Sequence, residues 1–550
     1  MQESKKQNFL KGAAILAAAS IFVKIVGAIY KIPIARMLGD EGTGYFQVTY
    51  NIYTLMLTIS TAGIPVALSR MVSSAAAHKN TNLVKRYFSV ALPAFITIGT
   101  VAMILMFVFA DTLAGFMNSS PAAYGIRVIA PAVLFVCLIS VYRGYAQGYE
   151  NMVPTAMSQV VEVISKAAFG ITAAFWLAGM GYGLHIVSAS AILGVTIGAG
   201  LCVPMLIWFK RKIDRGIVYS SGEDPPELPG KASVLVQLMK VSIPITLGAS
   251  FISIMTVIDT SIVLGRLQSA LHLTESQASA QFGIYTKGLM VYNLPPAFIV
   301  PVAISIIPAI AAALAKDRRD EASSIMQSSI KLTNLLAMPA CAGLMVLAGP
   351  ILKVLFYDPD QSPEAVQTMT TILVILGAAS FFVCFQHVTT AILQANGYER
   401  IALMTFPVGA VFKIVLGYVL VAIPSIGVIG SAIGTLVCFS VITLLNILFI
   451  LFIVKEKPKF INVVAKPLLC TSLMAVAAYF SYELLYMIGK SVLGEESGSR
   501  SIAVTVYLAG AIFTAVLVYA ILVIVTRTVT KEDIALVPKS EKLAKLLRVR

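Results

Sequence analysis

Charge is scarce in this chain. Only 12% of its 550 residues are Asp, Glu, Lys or Arg, 58% are hydrophobic, and the mean hydropathy is +0.87, far above that of soluble globular domains. A soluble enzyme or binding module is excluded on that ground. Acids are the scarcer sign, 26 against 41 basic residues, leaving a net charge of +15. Cysteine is sparse as well. Cys137, Cys202, Cys341, Cys384, Cys438 and Cys470 all fall in apolar runs without a Cys-x-x-Cys pair, which speaks against a disulfide framework or a zinc site and leaves packing as their role. The chain also lacks a Walker P-loop, an HExxH, a GxSxG and any zinc-spaced cluster, so a single-chain ATP-driven pump and a hydrolase are disfavoured and a non-enzyme without cofactor is expected.

What fills the sequence is a train of apolar runs, each long enough to cross about 30 Å of hydrocarbon. The expected spans are 12–37, 47–76, 87–110, 126–147, 154–178, 184–209, 238–265, 284–314, 326–348, 365–394, 402–424, 427–454, 462–487 and 502–526. The fold class is therefore all-α, a polytopic membrane protein with about fourteen transmembrane helices. The first run has no small-residue cleavage site and is expected to stay as the first helix. With a cytoplasmic N-terminus, about 25 Lys and Arg fall on inside segments and about 6 on outside loops, which satisfies the positive-inside rule and puts both termini in the cytoplasm. That bias accounts for most of the positive charge. A nucleic-acid partner is not needed to explain it.

The sequence repeats itself. STAGIPVALSRMVSSAAAHKN, around Pro65, resembles AISIIPAIAAALAKDRRDEAS, around Pro308. AQGYENMVP, with Glu150, resembles QANGYERIAL, with Glu399, and Lys166 and Lys413 follow those glutamates at similar distances. All three pairs share an offset of about 245 residues, enough for six helices, so the two copies should have the same orientation across the membrane. The expected organisation is an N-lobe at 1–210 and a cytoplasmic linker at 211–235 containing GEDPPELPG, followed by a C-lobe at 236–456. Two extra helices occupy 457–526, and a cytoplasmic basic tail 527–550. The lobes should be related by a pseudo-twofold axis along the membrane normal. Residues 539–550 read as a short basic amphipathic helix suited to anionic lipid.

Against this apolar background, cations inside the spans stand out: Lys24, Lys31, Arg70, Arg143, Lys166, Lys240, Lys287, Lys331, Lys413 and Lys466. Only Glu162, Asp259 and Glu483 oppose them. An ionised group at the bilayer centre costs at least about 2.5–3.5 kcal/mol, so it faces water, a partner or a route to the interface. Arg70, Lys240, Lys331 and Lys466 lie near span ends and can snorkel. Lys24 and Lys31 lie deeper, two turns apart on one face with Ser20 and Gly27, and are candidates for lining a cavity. Lys166, Lys287 and Lys413 are candidates for the same cationic lining. Glu162 stands four residues before Lys166, an order suited to mutual neutralisation. Asp259 is a candidate either for coupling to sodium or a proton or for pairing with a lysine. His387 reads as a packing residue more readily than as a proton relay. Pro33, Pro295 and Pro296 are candidate helix hinges, and the Asn293–Pro296 segment should break its helix.

The block FVKIVGAIYKIPIARMLGDEGTGYFQ, with TAGIPVALSRMVSS, RGYAQG at Arg143–Gly148 and NMVPTAMSQVVEVISK at Asn151–Lys166, resembles the polysaccharide-transporter branch of the multidrug/oligosaccharidyl-lipid/polysaccharide (MOP) flippase superfamily, which includes sporulation proteins and lipid II flippases. The resemblance implies a two-lobed bundle working by alternating access. It also implies a cationic cavity in which Lys24 matches a family arginine placed against a lipid pyrophosphate, while a second such position falls on Tyr30 and another on Gly288, beside Lys287. The activity it implies is the flipping of an undecaprenyl-pyrophosphate-linked saccharide, lipid II above all, across the bacterial cytoplasmic membrane, driven by membrane potential or an ion gradient. The partners would be the lipid-linked oligosaccharide, the bilayer and cell-wall synthesis proteins. A sodium- or proton-coupled multidrug exporter of the same fold and a non-transporting scaffold are the alternatives.

Overall fold

The first helix is bent by one residue. In α1 (Gln2–Thr61) the backbone at Gly39 leaves the helical region for φ 62°, ψ −159°, a conformation essentially reserved for glycine because any Cβ would clash with its own backbone. The Gly39 carbonyl accepts a hydrogen bond from Thr43 Oγ1 at 2.6 Å. Pro33 lies inside α1 in helical backbone, so the kink belongs to Gly39 and not to the proline expected as its hinge. The polar stretch Gly39–Gly44 between the first two expected spans is helical beyond the kink, so the two spans follow one another without a loop. Among the described residues thirteen segments are long and apolar enough to cross a membrane, and the first of them, at 18–77 and including α2 (Ile64–Ala77), holds the first two expected spans on the two sides of Gly39.

The computed structural model describes residues 2–78, 80–216, 228–356, 361–454, 460–493, 501–526 and 528. Among them the chain forms seventeen helices and no strand. After α2 come α3 (Thr81–Val108), the short α4 (Ala110–Phe116), α5 (Ala122–Gly148), α6 (Val153–Gly179) and α7 (Leu184–Gly216). The second series runs α8 (Lys231–Ser269), α9 (Glu275–Tyr292), α10 (Leu294–Ala315), α11 (Arg319–Val346), α12 (Ala348–Phe356), α13 (Pro363–Ala395), α14 (Glu399–Leu420) and α15 (Ile429–Ile453). It repeats the order of the first, with α8, α9 and α10 standing where α1 and α2 stand, and includes a short helix, α12 for α4, before the next long one. α16 (Phe460–Leu493) and α17 (Ser501–Val525) follow. The turns repeat too: Glu150 (φ 59°) between α5 and α6 matches Gly397 (φ 82°) before α14, and Gly181 (φ 77°) matches Gly427 (φ 51°).

Contacts divide the chain into Met1–Gly283 and Ile284–Arg550. In the first unit α6 and α7 pack together, α5 packs on α7 and α3, and α8 packs on α1, α2 and α3. Helix α7 runs to Gly216, six residues into the expected linker, and α8 opens at Lys231 inside it. Residues 217–227, and the basic amphipathic helix expected at 539–550, lie outside the described residues. In the second unit α13 packs on α10, α11 and α15, α14 on α15, and α16 on α11 and α17. Large side chains such as Phe175, Trp176, Phe412, Phe452 and Phe513 are exposed, as a surface meeting acyl chains requires.

The expected break at Asn293–Pro296 is present, and its chemistry is visible. Pro296 has no N–H to give the Tyr292 carbonyl, which instead accepts from Ser380 Oγ of α13 at 3.0 Å. Asn293 Nδ2 donates to the Leu289 carbonyl at 2.7 Å, and Pro295 and Pro296 open α10. In the first series the break lies later in the repeat, at Gly63, and is tied to α8, the Gly63 N–H donating to Thr246 Oγ1 at 3.2 Å.

Gly39→Ala should destabilise the purified protein by about 1–3 kcal/mol, because nothing but backbone strain opposes the added methyl. Pro33→Ala should cost far less. Thermal unfolding midpoints followed by size-exclusion fluorescence in detergent test the pair, and equal losses would return the hinge to Pro33.

Candidate functional site

The first unit holds a cavity of about 380 Å³ lined by Ser20, Val23 and Lys24 of α1, Tyr50 beyond the kink, Arg143 of α5, and Gln159, Glu162, Val163 and Lys166 of α6. The spacing explains the convergence. Positions 20, 23 and 24 share one face of α1, and 159, 162, 163 and 166 share one face of α6. α6 is held by glycines on α7: a Cβ at Gly198 would lie 2.8 Å from the Glu162 carbonyl oxygen, and one at Gly194 2.5 Å from that of Lys166. Only glycine lets the two backbones meet so closely, and this packing fixes the helix that carries both charges.

Each cation is handled differently. Arg143 Nη2 lies 3.1 Å from Glu162 Oε2, and its Nε donates to Ser158 Oγ at 2.8 Å, while that hydroxyl donates onward to the Thr155 carbonyl. The Lys166 ammonium lies 4.8 Å from the ring centroids of both Tyr30 and Tyr50 and 3.4 Å from the Tyr50 hydroxyl. Lys31 approaches the Tyr50 ring to 5.5 Å. Such contacts are worth about 0.5–2 kcal/mol each, depending on how dry they are. Lys24 is exposed, and among the described residues no ion pair or ring contact engages its ammonium. Ser20 Oγ donates to Gln159 Oε1 at 3.5 Å, adding neutral polar groups to the same wall.

Of the residues singled out from sequence, Lys24, Lys166 and Glu162 come together here, with Lys31 adjoining through Tyr50. Glu162 is bridged by Arg143, which replaces the expected neutralisation by Lys166. Lys287 is elsewhere: it lies in α9 of the second unit, 1% exposed, with its ammonium 5.8 Å from the Phe356 ring. Lys413 lies on α14, its methylene stem 3.7 Å from where a Cβ at Gly434 would stand. Asp259 is buried in α8, beside the Thr260 hydroxyl that accepts from Asn51 Nδ2 at 2.8 Å. His387 is half-buried on α13. Arg70, Lys240 and Lys466 are exposed, as snorkelling requires. The roles of Arg143, Tyr30, Tyr50 and Gln159 were not read from the sequence, because their partners stand on other helices. Arg143 carried the one available signal, a guanidinium inside an apolar run.

A wall with three cations and one carboxylate can hold an anion of about two charges beside hydroxyl and amide groups. Among the described residues, no group of three or more His, Cys, Asp and Glu side chains gathers in one place.

Residues 9–314 match the profile of the polysaccharide biosynthesis protein family. The chain belongs to that family. Residues 244–419 also match the MatE profile, and both place the chain in the MOP superfamily. It is similar to stage V sporulation protein B of Bacillus subtilis (strain 168), 26% identical over 542 residues, covering 97% of this chain and 98% of that protein. It is also 26% identical to the lipid II flippase MurJ of the same organism, over 75% of this chain and 77% of that one. A solved structure of lipid II flippase MurJ in an inward closed conformation superposes with a TM-score of 0.67 at 14% identity, over 93% of this chain and 99% of that chain, and shows the shared fold. The chain is thus a multi-pass membrane protein of a superfamily whose members include a flippase and multidrug transporters.

A cysteine placed at Lys24 should react with a charged, membrane-impermeant thiol reagent from the side to which the cavity opens. One at Lys287 should not react in the folded protein. The six native thiols are buried, so labelling followed by mass spectrometry reads the contrast directly, and no labelling at position 24 would mean that Lys24 faces no water.

Proposed function

We propose that the protein is a flippase that carries an undecaprenyl-pyrophosphate-linked saccharide, with lipid II as first candidate, from the inner to the outer leaflet of the bacterial cytoplasmic membrane. The observation that carries the reading is the cationic cavity around Lys24. A sugar-bearing diphosphate cannot cross hydrocarbon unaided, and ammonium and guanidinium groups beside amide and hydroxyl groups replace its hydration while the apolar tail stays in lipid. Lys24, Arg143 and Lys166 contact the anion, Lys31 raises the local potential from behind Tyr50, and Gln159 and Ser20 face the sugar.

Residues 1–210 and 236–456 are the repeats that exchange accessibility, and the bias of basic residues supports cytoplasmic termini. The membrane potential supplies energy: inside-negative, it favours outward movement of each negative charge by about 2.3 kcal/mol per 100 mV. Lys413 and Lys287 support the second repeat without lining the cavity described, and Asp259 is the acid available for sodium or proton coupling. Cell-wall synthesis proteins are the partners that would supply and consume such a lipid.

The MatE match favours a second reading, an ion-coupled exporter of cationic drugs. The cavity wall argues against it, since its net charge is positive.

Expression of this chain in a strain depleted of its lipid II flippase should restore growth, and Lys24→Ala should abolish rescue at equal membrane abundance. Rescue that survives Lys24→Ala would indicate a scaffold. Drug efflux lost in Asp259→Asn but kept in Lys24→Ala would indicate the exporter.

A further inference from the structure

Glu162 is the one acid on a wall otherwise lined by cations and neutral groups. Its placement is not that of a sealed core pair. The Glu162 side chain keeps 29% of its surface exposed, against 16% for Arg143. Arg143 also has an anchor that does not depend on the carboxylate, through Nε to Ser158 Oγ at 2.8 Å and from there to the Thr155 carbonyl. The guanidinium would stay in place without Glu162. What the carboxylate changes is the electrostatics: Lys24, Arg143 and Lys166 give the wall three positive charges, and Glu162 returns it to about two. A diphosphate diester carries about two negative charges.

We infer that Glu162 is a specificity-setting residue, which holds the cavity at the charge of a diphosphate diester and, by competing with the ligand for Arg143, keeps that ligand releasable. The inference rests on the phosphate-binding reading above. Without Glu162 the cavity would hold any phosphate-bearing headgroup more tightly and let it go more slowly. The geometry allows the exchange because Glu162 engages Arg143 at Nη2, with both side chains lining the cavity, while Ser158 retains Nε.

The test uses the full chain in lipid nanodiscs, with geranyl-diphospho-N-acetylglucosamine as the probe for binding and a fluorescent lipid-linked analogue in proteoliposomes for transport. Glu162→Gln should bind the probe about tenfold more tightly while its maximal transport rate falls. Glu162→Asp, which keeps the charge, should bind as the parent does. A purely structural ion pair would not tighten binding. Because Glu162→Gln leaves Arg143 without its partner, Arg143→Gln and the double variant Arg143→Gln/Glu162→Gln are compared as well, and the double variant should bind more tightly than Arg143→Gln alone, by less than about tenfold because no guanidinium is left to compete for. Unchanged or weaker binding in both comparisons, with Lys24→Gln still weakening binding, overturns the role of Glu162 and leaves the flippase reading standing. A parent protein that binds the probe no better than Lys24→Gln overturns both.

Discussion

A cation at hydrocarbon depth must be paired, wetted or laid against a π face, and the first unit does all three. Arg143 is paired with Glu162, Lys31 and Lys166 lie against tyrosine rings, and Lys24 opens onto the cavity. Each bare charge would cost at least about 2.5–3.5 kcal/mol, so these arrangements are conditions for the helices to stand where they do. They also set the order of dependence. The glycines of α7 bring α6 close, α6 presents Glu162 and Lys166, and the Gly39 kink separates the part of α1 that carries Lys24 from the part that carries Tyr50.

The same device occurs in the second half of the chain with a different outcome. Gly434 of α15 faces the Lys413 carbonyl of α14 as Gly194 of α7 faces that of Lys166, so the duplication kept both the lysine and the glycine that seats it. Around them the polar chemistry diverged. Where the first unit has an arginine and a glutamate, the second has a neutral network: Thr405 Oγ1 donates to Asn446 Oδ1 at 2.9 Å, and Asn446 Nδ2 donates to Thr389 and Thr390. Amides and hydroxyls satisfied by one another need no water, and Thr389, Thr405 and Asn446 are buried. One repeat carries charge facing a cavity, while its counterpart ties α13, α14 and α15 together by neutral hydrogen bonds.

This contrast explains what could be read in advance. Apolar runs announce themselves because hydrocarbon admits only helices whose backbone bonds close internally, and the repeat was legible because turns and lysines recur at one offset. Tertiary partners were not legible. Glu162 and Lys166 stand four residues apart and invite pairing along the helix, but Arg143 on α5 reaches the carboxylate, and the ammonium turns to two tyrosines of α1. Proline marks kinks in sequence more loudly than glycine does, so Pro33 drew attention that belonged to Gly39. Lys287 shows the opposite error: its position beside a helix break suggested a wet wall, while packing against Phe356 buries it.

A carrier needs more than attraction. An anion-binding wall made only of unpaired cations would hold its ligand in every conformation, and the movement that exposes the other side would stall on release. A fully neutralised wall would never gather a phosphate from the membrane surface. The observed lining falls between these limits. One ammonium is free to make first contact, one guanidinium is shared with a carboxylate that can reclaim it, and one ammonium rests on aromatic faces whose attraction weakens as soon as a stronger anion or water competes. Under the proposed function this grading of the cations would make binding stepwise and reversible, with Glu162 and Lys166 moving together because they share one face of α6.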